Sequence, residues 1–273
     1  MQTWLWQFWR DEGRERMTDA RTTRIERGDD RMVVTLDRPQ TRNAIDQRMV
    51  DELHGVCAEL EVEPRILILA GGDGVFASGA DIAELRDRTA QDALAGINTR
   101  LFIRIARLPM PVIAAVDGWA LGGGAELAYA ADFRIGTPRT VFGNPETGLG
   151  IIAAAGATWR LRELIGEPLA KQILLAGRRL DAQESLQAGL LGEVVEPSEL
   201  MAAAHRLGDR IASMDAAATI ATKAVFAAPA DEHPEIDLRE QAVLFESPEK
   251  HRRMTDFLER RQRKQRATDG SAR

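Results

Sequence analysis

Two glutamates, Glu126 and Glu146, stand in glycine-rich and otherwise largely apolar stretches of the chain. The first lies in Asp117-Gly118-Trp119-Ala120-Leu121-Gly122-Gly123-Gly124-Ala125-Glu126-Leu127-Ala128. The second lies in Val141-Phe142-Gly143-Asn144-Pro145-Glu146-Thr147-Gly148-Leu149-Gly150. Three consecutive glycines leave the start of a helix without side chains. A ligand oxygen can then approach backbone N–H groups that have no partner inside the helix. The positive end of the helix favours an anion there. Two carboxylates near one pocket can divide the work of acid and base, because repulsion and desolvation keep one proton on the pair near neutral pH. A lone glutamate in a first turn serves equally as a partner of the helix dipole, and spacing alone does not bring Glu126 and Glu146 together.

Other chemistries find less support. Gly72-Asp73-Gly74-Val75-Phe76-Ala77 superficially fits a dinucleotide fingerprint, but no helix opens there. The chain has no Gly-Lys pair for a phosphate loop and no His-Glu-x-x-His run for zinc. Ser78 lacks the Gly-x-Ser-x-Gly surroundings of a hydrolase nucleophile. The histidines, His54, His205, His233 and His251, are far apart and read as surface residues. Cys57, the single cysteine, makes neither an internal disulfide nor a thiolate metal site, and agrees with a reducing cytosol.

Alternating strands and helices must position the two glutamates. Met32–Leu36 reads as a strand closed by the turn signal Arg38-Pro39. A helix is expected from about Asp46, its N-cap, to Val62, with apolar residues recurring at helical spacing. Arg65–Ala70 and Pro111–Val116 read as buried strands, with a helix expected from about Gln91 to Arg107 between them. This alternation predicts a layered α/β core with parallel pairing. Past about Ala154 the chain reads as mostly helical, with one short strand at Glu193–Val195, and from Glu199 as helices only. No period of 20–50 residues suggests a solenoid.

The 273 residues carry 36 basic and 42 acidic side chains, a net charge of −6, and only four lysines, which does not suggest a general nucleic-acid binder. The first nine residues include Trp4, Trp6, Phe8 and Trp9 but lack the marks of a secretory signal. They read as a tail packed on the body, or as a start upstream of a true first residue at Met17. The last fifteen residues, from Glu259, hold six basic and two acidic side chains, a net +4, and read as solvated.

In order and spacing, several segments resemble the enoyl-CoA hydratase/isomerase (crotonase) family from about Thr23 to Arg260. They are Arg38-Pro39 with Asn43-Ala44, Phe76-Ala77-Ser78-Gly79-Ala80-Asp81-Ile82, Pro111 to Gly118, Ala120 to Ala128, Phe142 to Glu146, and Ala176-Gly177 through Ala188-Gly189-Leu190. The resemblance implies an α/β spiral of strand–strand–helix turns, followed by a helical C-terminal region that packs in trimers, often paired into hexamers. On that reading residues 1–16 are an aromatic leader and 17–198 the spiral core with the active site. Residues 199–262 are then the helical region and 263–273 a basic tail.

The resemblance further implies an acyl-CoA thioester substrate in a cytoplasmic enzyme. Coenzyme A is then part of the substrate, with no separate cofactor, no metal, and no nucleic-acid or membrane partner. The N–H groups of Ala80 and Gly123 would form an oxyanion hole for the thioester oxygen. Ala44, Ser78, Gly79, Ala80, Asp81, Ile82, Ala83 and Gly123 would bind substrate, the loop from Ser78 to Ala83 lining the adenine pocket. Glu126 and Glu146 fall on the family's catalytic glutamates. Hydratases use both, one on the attacking water and one on the proton for C2, whereas isomerases can shuttle a proton with one. Two glutamates favour hydration of a trans-2-enoyl-CoA. Isomerisation of a 3-enoyl-CoA, another acyl-CoA lyase reaction, or acyl-CoA or RNA binding without catalysis are the alternatives. The run Ile151-Ile152-Ala153-Ala154-Ala155 is bulkier than the proline- and glycine-containing run of many family hydratases, which leaves acyl-chain preference open.

Overall fold

The computed structural model describes residues 21–72 and 74–270; the aromatic leader lies outside the described residues. The chain opens with an antiparallel pair, β1 (Thr23–Arg27) and β2 (Arg31–Leu36). Helix α1 (Gln47–Val62) follows, and the Asp46 side chain caps it by accepting from Met49 N–H at 2.9 Å. Its buried face is Met49, Val50, Leu53, Val56, Cys57 and Leu60, the stripe expected from the spacing.

From there two consecutive strands and then helix recur three times. Strands β3 (Ile66–Gly71) and β4 (Val75–Ala77) precede α2 (Ile82–Asp87), α3 (Ala90–Ala95) and α4 (Ile97–Ala106). Strands β5 (Val112–Val116) and β6 (Trp119–Leu121) precede α5 (Gly123–Tyr129). Strands β7 (Phe133–Gly136) and β8 (Val141–Gly143) precede α6 (Ala157–Ile165) and α7 (Glu167–Ala176). The first strand of each pair joins one sheet and the second joins another. With β9 (Arg179–Leu180) and β10 (Glu193–Val194), the orders are β1-β2-β3-β5-β7-β10 and β4-β6-β8-β9. All pairings are parallel except β1 with β2 and β8 with β9. Because β5 is covered on both faces, all five of its residues are buried, which explains its continuous apolar run.

Two expectations change in detail. The helix expected over Gln91–Arg107 is two helices, because Gly96 adopts a left-handed conformation that closes α3 and opens α4. The loop expected from Ser78 to Ala83 becomes helical at Ile82, since the Asp81 side chain accepts from Ala83 and Glu84 N–H and caps α2.

The chain divides into two compact units, one reaching Asp209 and one starting at Arg210. The second is helical: it takes in the end of a helix over Leu200–Ala212, then Ala216–Phe226, Glu235–Phe245 and Pro248–Gly270. No helix among the described residues is long and apolar enough to cross a membrane.

Candidate active site

Glu126 sits in the first turn of α5, only 3% exposed. The chain segment before α6 wraps over it, and Oε1 accepts from Ala155 N–H at 2.8 Å and Ala157 N–H at 3.1 Å. Burial pushes its carboxyl up to about 7; the Ala157 N–H opposes the shift and the charge of Glu146 adds to it. Gly122 links Glu126 to Glu146, twenty positions along: Glu126 N–H donates to Gly122 O at 2.9 Å, and a Cβ on Gly122 would lie 3.0 Å from Glu146 Oε1.

Glu146 opens a 3-10 turn, Glu146–Leu149, directly after β8. It is 8% exposed, and burial raises its carboxyl above the ordinary range against the opposing donors of its own backbone and Asn144. Asn144 Nδ2 donates to Glu146 Oε1 at 3.4 Å, while Asn144 Oδ1 accepts from the buried Tyr129 hydroxyl at 3.2 Å. The Asn144 amide thus bridges the Tyr129 hydroxyl and the glutamate. Glu146 Oε2 is buried with no partner among the described residues.

The glycine run shapes the space between the carboxylates and the backbone. Gly122 has φ +51, and a Cβ there would lie 3.0 Å from Glu146 Oε1, so both conformation and space require glycine. At Gly124 a Cβ would lie 2.3 Å from Ala77 O, because α5 starts directly against β4. Gly123 differs: its Cβ would meet Ala80 N and Asn98 Nδ2, each at 3.4 Å. Ala80 pairs with Ile45 in a parallel bridge, in which Ile45 N–H donates to Gly79 O and Asp81 N–H donates to Ile45 O. That pattern turns the Ala80 N–H to the other side. The two nitrogens expected to face the thioester oxygen thus belong to neighbouring residues.

The remaining expected binding residues lie beside this cradle. Ala44 is buried, and its carbonyl accepts from Arg38 Nη1. Arg38 also pairs with Asp46 at 3.2 Å and Asp81 at 3.6 Å, tying the two segments together. Ser78 Oγ donates to Thr41 O at 3.2 Å, and Gly79 is buried with φ +120. Ile82 and Ala83 are exposed on α2. His54 contacts Arg104, His205 contacts Arg31, and His233 contacts Asp237. No group of three or more metal-ligating side chains suited to an ion occurs among the described residues.

Sequence reasoning overlooked three contributors. The backbone donors of Ala155 and Ala157 carry no sequence signal. Asn144 was visible only as part of a motif. Asn98 did leave a signal: it shares the i, i+3, i+4, i+7 stripe of α4 with Leu101, Phe102 and Ile105, a polar residue on an apolar face.

A strand–strand–helix spiral that sets two buried carboxylates beside a side-chain-free stretch of backbone is the crotonase fold. More narrowly, the chain belongs to the enoyl-CoA hydratase/isomerase family, whose sequence model matches residues 28–266. It is 42% identical over 186 residues to a short-chain-enoyl-CoA hydratase of Clostridium acetobutylicum, covering 66% of this chain and 71% of that one. It is 34% identical over 246 residues to a crotonyl-CoA hydratase of Syntrophomonas wolfei, covering 87% and 95%. The crystal structure of an enoyl-CoA hydratase from Bacillus anthracis superposes with a TM-score of 0.83 at 28% identity, covering 88% of this chain and 96% of that one.

Proposed function

We propose that the protein is an enoyl-CoA hydratase, adding water across the double bond of a trans-2-enoyl-CoA to give a 3-hydroxyacyl-CoA. The observation that carries this reading is the pair of buried carboxylates, both raised chiefly by burial, next to the Ala80–Gly123 cradle. The thioester carbonyl sits in the cradle, which polarises the conjugated alkene and makes C3 electrophilic.

The surroundings of the two glutamates divide the roles. Glu126, raised to about 7 by burial and held by two backbone donors on Oε1, gains and loses its proton near neutral pH as a general base must, so it takes a proton from water. Glu146 has a bare buried oxygen, which favours the protonated form, so it is the acid. The water oxygen bonds to C3, and the alkene electrons move to C2 and, through the enolate, to the thioester oxygen. C2 then takes the proton of Glu146. The net result adds H and OH, and a proton passing from Glu126 to Glu146 resets the pair. General acid–base assistance of this kind is worth about 10²–10⁴-fold per group.

An isomerase needs only one shuttling carboxylate, whereas both are set around this cleft. The names of the two curated relatives support hydration and a short acyl chain. Coenzyme A is part of the substrate, and no other cofactor is assigned. For assembly we propose a homotrimer or a dimer of trimers, supported by exposed apolar side chains on the 210–270 helices, among them Phe226, Leu238, Val243 and Phe257. The compartment proposed is the cytoplasm, which suits a chain with one cysteine. The test is incubation of purified protein with crotonyl-CoA and with longer and branched enoyl-CoAs. Hydration removes the absorbance of the conjugated enoyl thioester; no loss with any of them rejects the proposal.

A further inference from the structure

Asn98 occupies a position where its neighbours at helical spacing are all apolar and buried. It is itself 8% exposed, and its Oδ1 is buried with no hydrogen-bond partner among the described residues. Burying an amide without partners forfeits the hydrogen bonds it made to water, and the surrounding protein does not replace them. A leucine would suit the stripe better on packing grounds alone. The other end of the amide, Nδ2, lies 3.4 Å from the point where a methyl group on Gly123 would sit, and Ala80 N lies 3.4 Å from the same point. Gly123 N is itself 3.9 Å from where a methyl on Gly79 would sit, so the glycines of both segments keep side chains out of this corner. The amide therefore flanks, with backbone nitrogens, a space of side-chain size at the glycine cradle.

We propose that Asn98 Nδ2 is a third hydrogen-bond donor to the thioester oxygen, beside the N–H groups of Ala80 and Gly123. The proposal rests on the acyl-CoA reading above. A donor at this place acts most strongly when negative charge builds on the oxygen during attack at C3, so it lowers the barrier more than it tightens ground-state binding.

The experiment compares wild type with Asn98→Leu, which keeps the branched outline and removes the donor, and with Asn98→Ala, which cannot overpack. Crotonyl-CoA hydration gives kcat and KM. A second readout uses acetoacetyl-CoA, whose enolate carries charge on the same oxygen and has its own absorbance, against saturated butyryl-CoA. The expected result is a kcat lower by about 10²-fold with KM within about threefold of wild type. Enolate formation from bound acetoacetyl-CoA should shift to higher pH, while butyryl-CoA affinity stays the same. If either folded variant keeps wild-type kcat and enolate titration, the donor role is wrong while the hydratase reading stands. Equal losses for butyryl-CoA and acetoacetyl-CoA mean that Asn98 only packs, which also overturns the proposal. Wild-type protein that hydrates no enoyl-CoA and binds none of these thioesters overturns both readings.

Discussion

Replacing Glu126 by glutamine should make the protein more stable at neutral and alkaline pH while removing its activity. Glutamine has the same shape, and its carbonyl can still accept from Ala155 and Ala157 N–H. What disappears is a carboxyl raised from 4.5 to about 7, chiefly by burial. The folded state therefore binds more protons at this residue than the unfolded chain between those two values. Stability contributed by the protonated form is fully present below 4.5 and is lost as pH rises through about 7. At about 1.4 kcal/mol per pH unit, the ionised side chain costs the folded wild type about 3 kcal/mol above that range. Urea unfolding of both proteins at matched concentration, from pH 4 to 8.5, measures the difference. The two free energies should nearly coincide near pH 4, with Glu126→Gln ahead by about 3 kcal/mol above pH 7.5. A difference that stays constant across the range would refute the buried, raised carboxyl.

Other consequences follow from close contacts. Gly123→Ala places a methyl in the open space beside Ala80 N, so kcat should fall by at least about 10²-fold while thermal stability changes little. Gly124→Ala instead drives a methyl into Ala77 O and should cost at least about 3 kcal/mol by urea unfolding. Arg134, buried on β7, donates to Ala131 O and Ala128 O at the end of α5 and to Leu190 O. Arg134→Met strips these carbonyls of their donor and should destabilise by about 2–4 kcal/mol, read by the same method. Burial pushes the Cys57 thiol up to about 12, so a thiol reagent at pH 8 should label native protein far more slowly than urea-unfolded protein.

What could be read from the sequence depended on length and on locality. The helix Gln47–Val62 runs long enough to show a repeating stripe, and its cap is three residues from the N–H it binds. Strands β3 and β5 are apolar throughout because both faces are covered. By contrast β4, β6 and β8 have three residues each, too few for any period to emerge, yet they build the second sheet. Within the single helix expected over Gln91–Arg107, the left-handed backbone of Gly96 ends one helix and starts another. At the site, the motifs marked Glu126, Glu146 and the glycine cradle because side-chain identity decides their fit. The donors that hold Glu126 are backbone groups 29 and 31 residues away, where side-chain identity says nothing.

In the proposed reaction Glu126 and Glu146 act together on one enoyl thioester. Initial rates of crotonyl-CoA hydration by wild type, Glu126→Gln and Glu146→Gln test it most directly. The expected result is hydration by the wild type and a loss of about 10²–10⁴-fold in kcat for each folded variant. A wild type that leaves the enoyl absorbance unchanged, or either variant working at the wild-type rate, would contradict it.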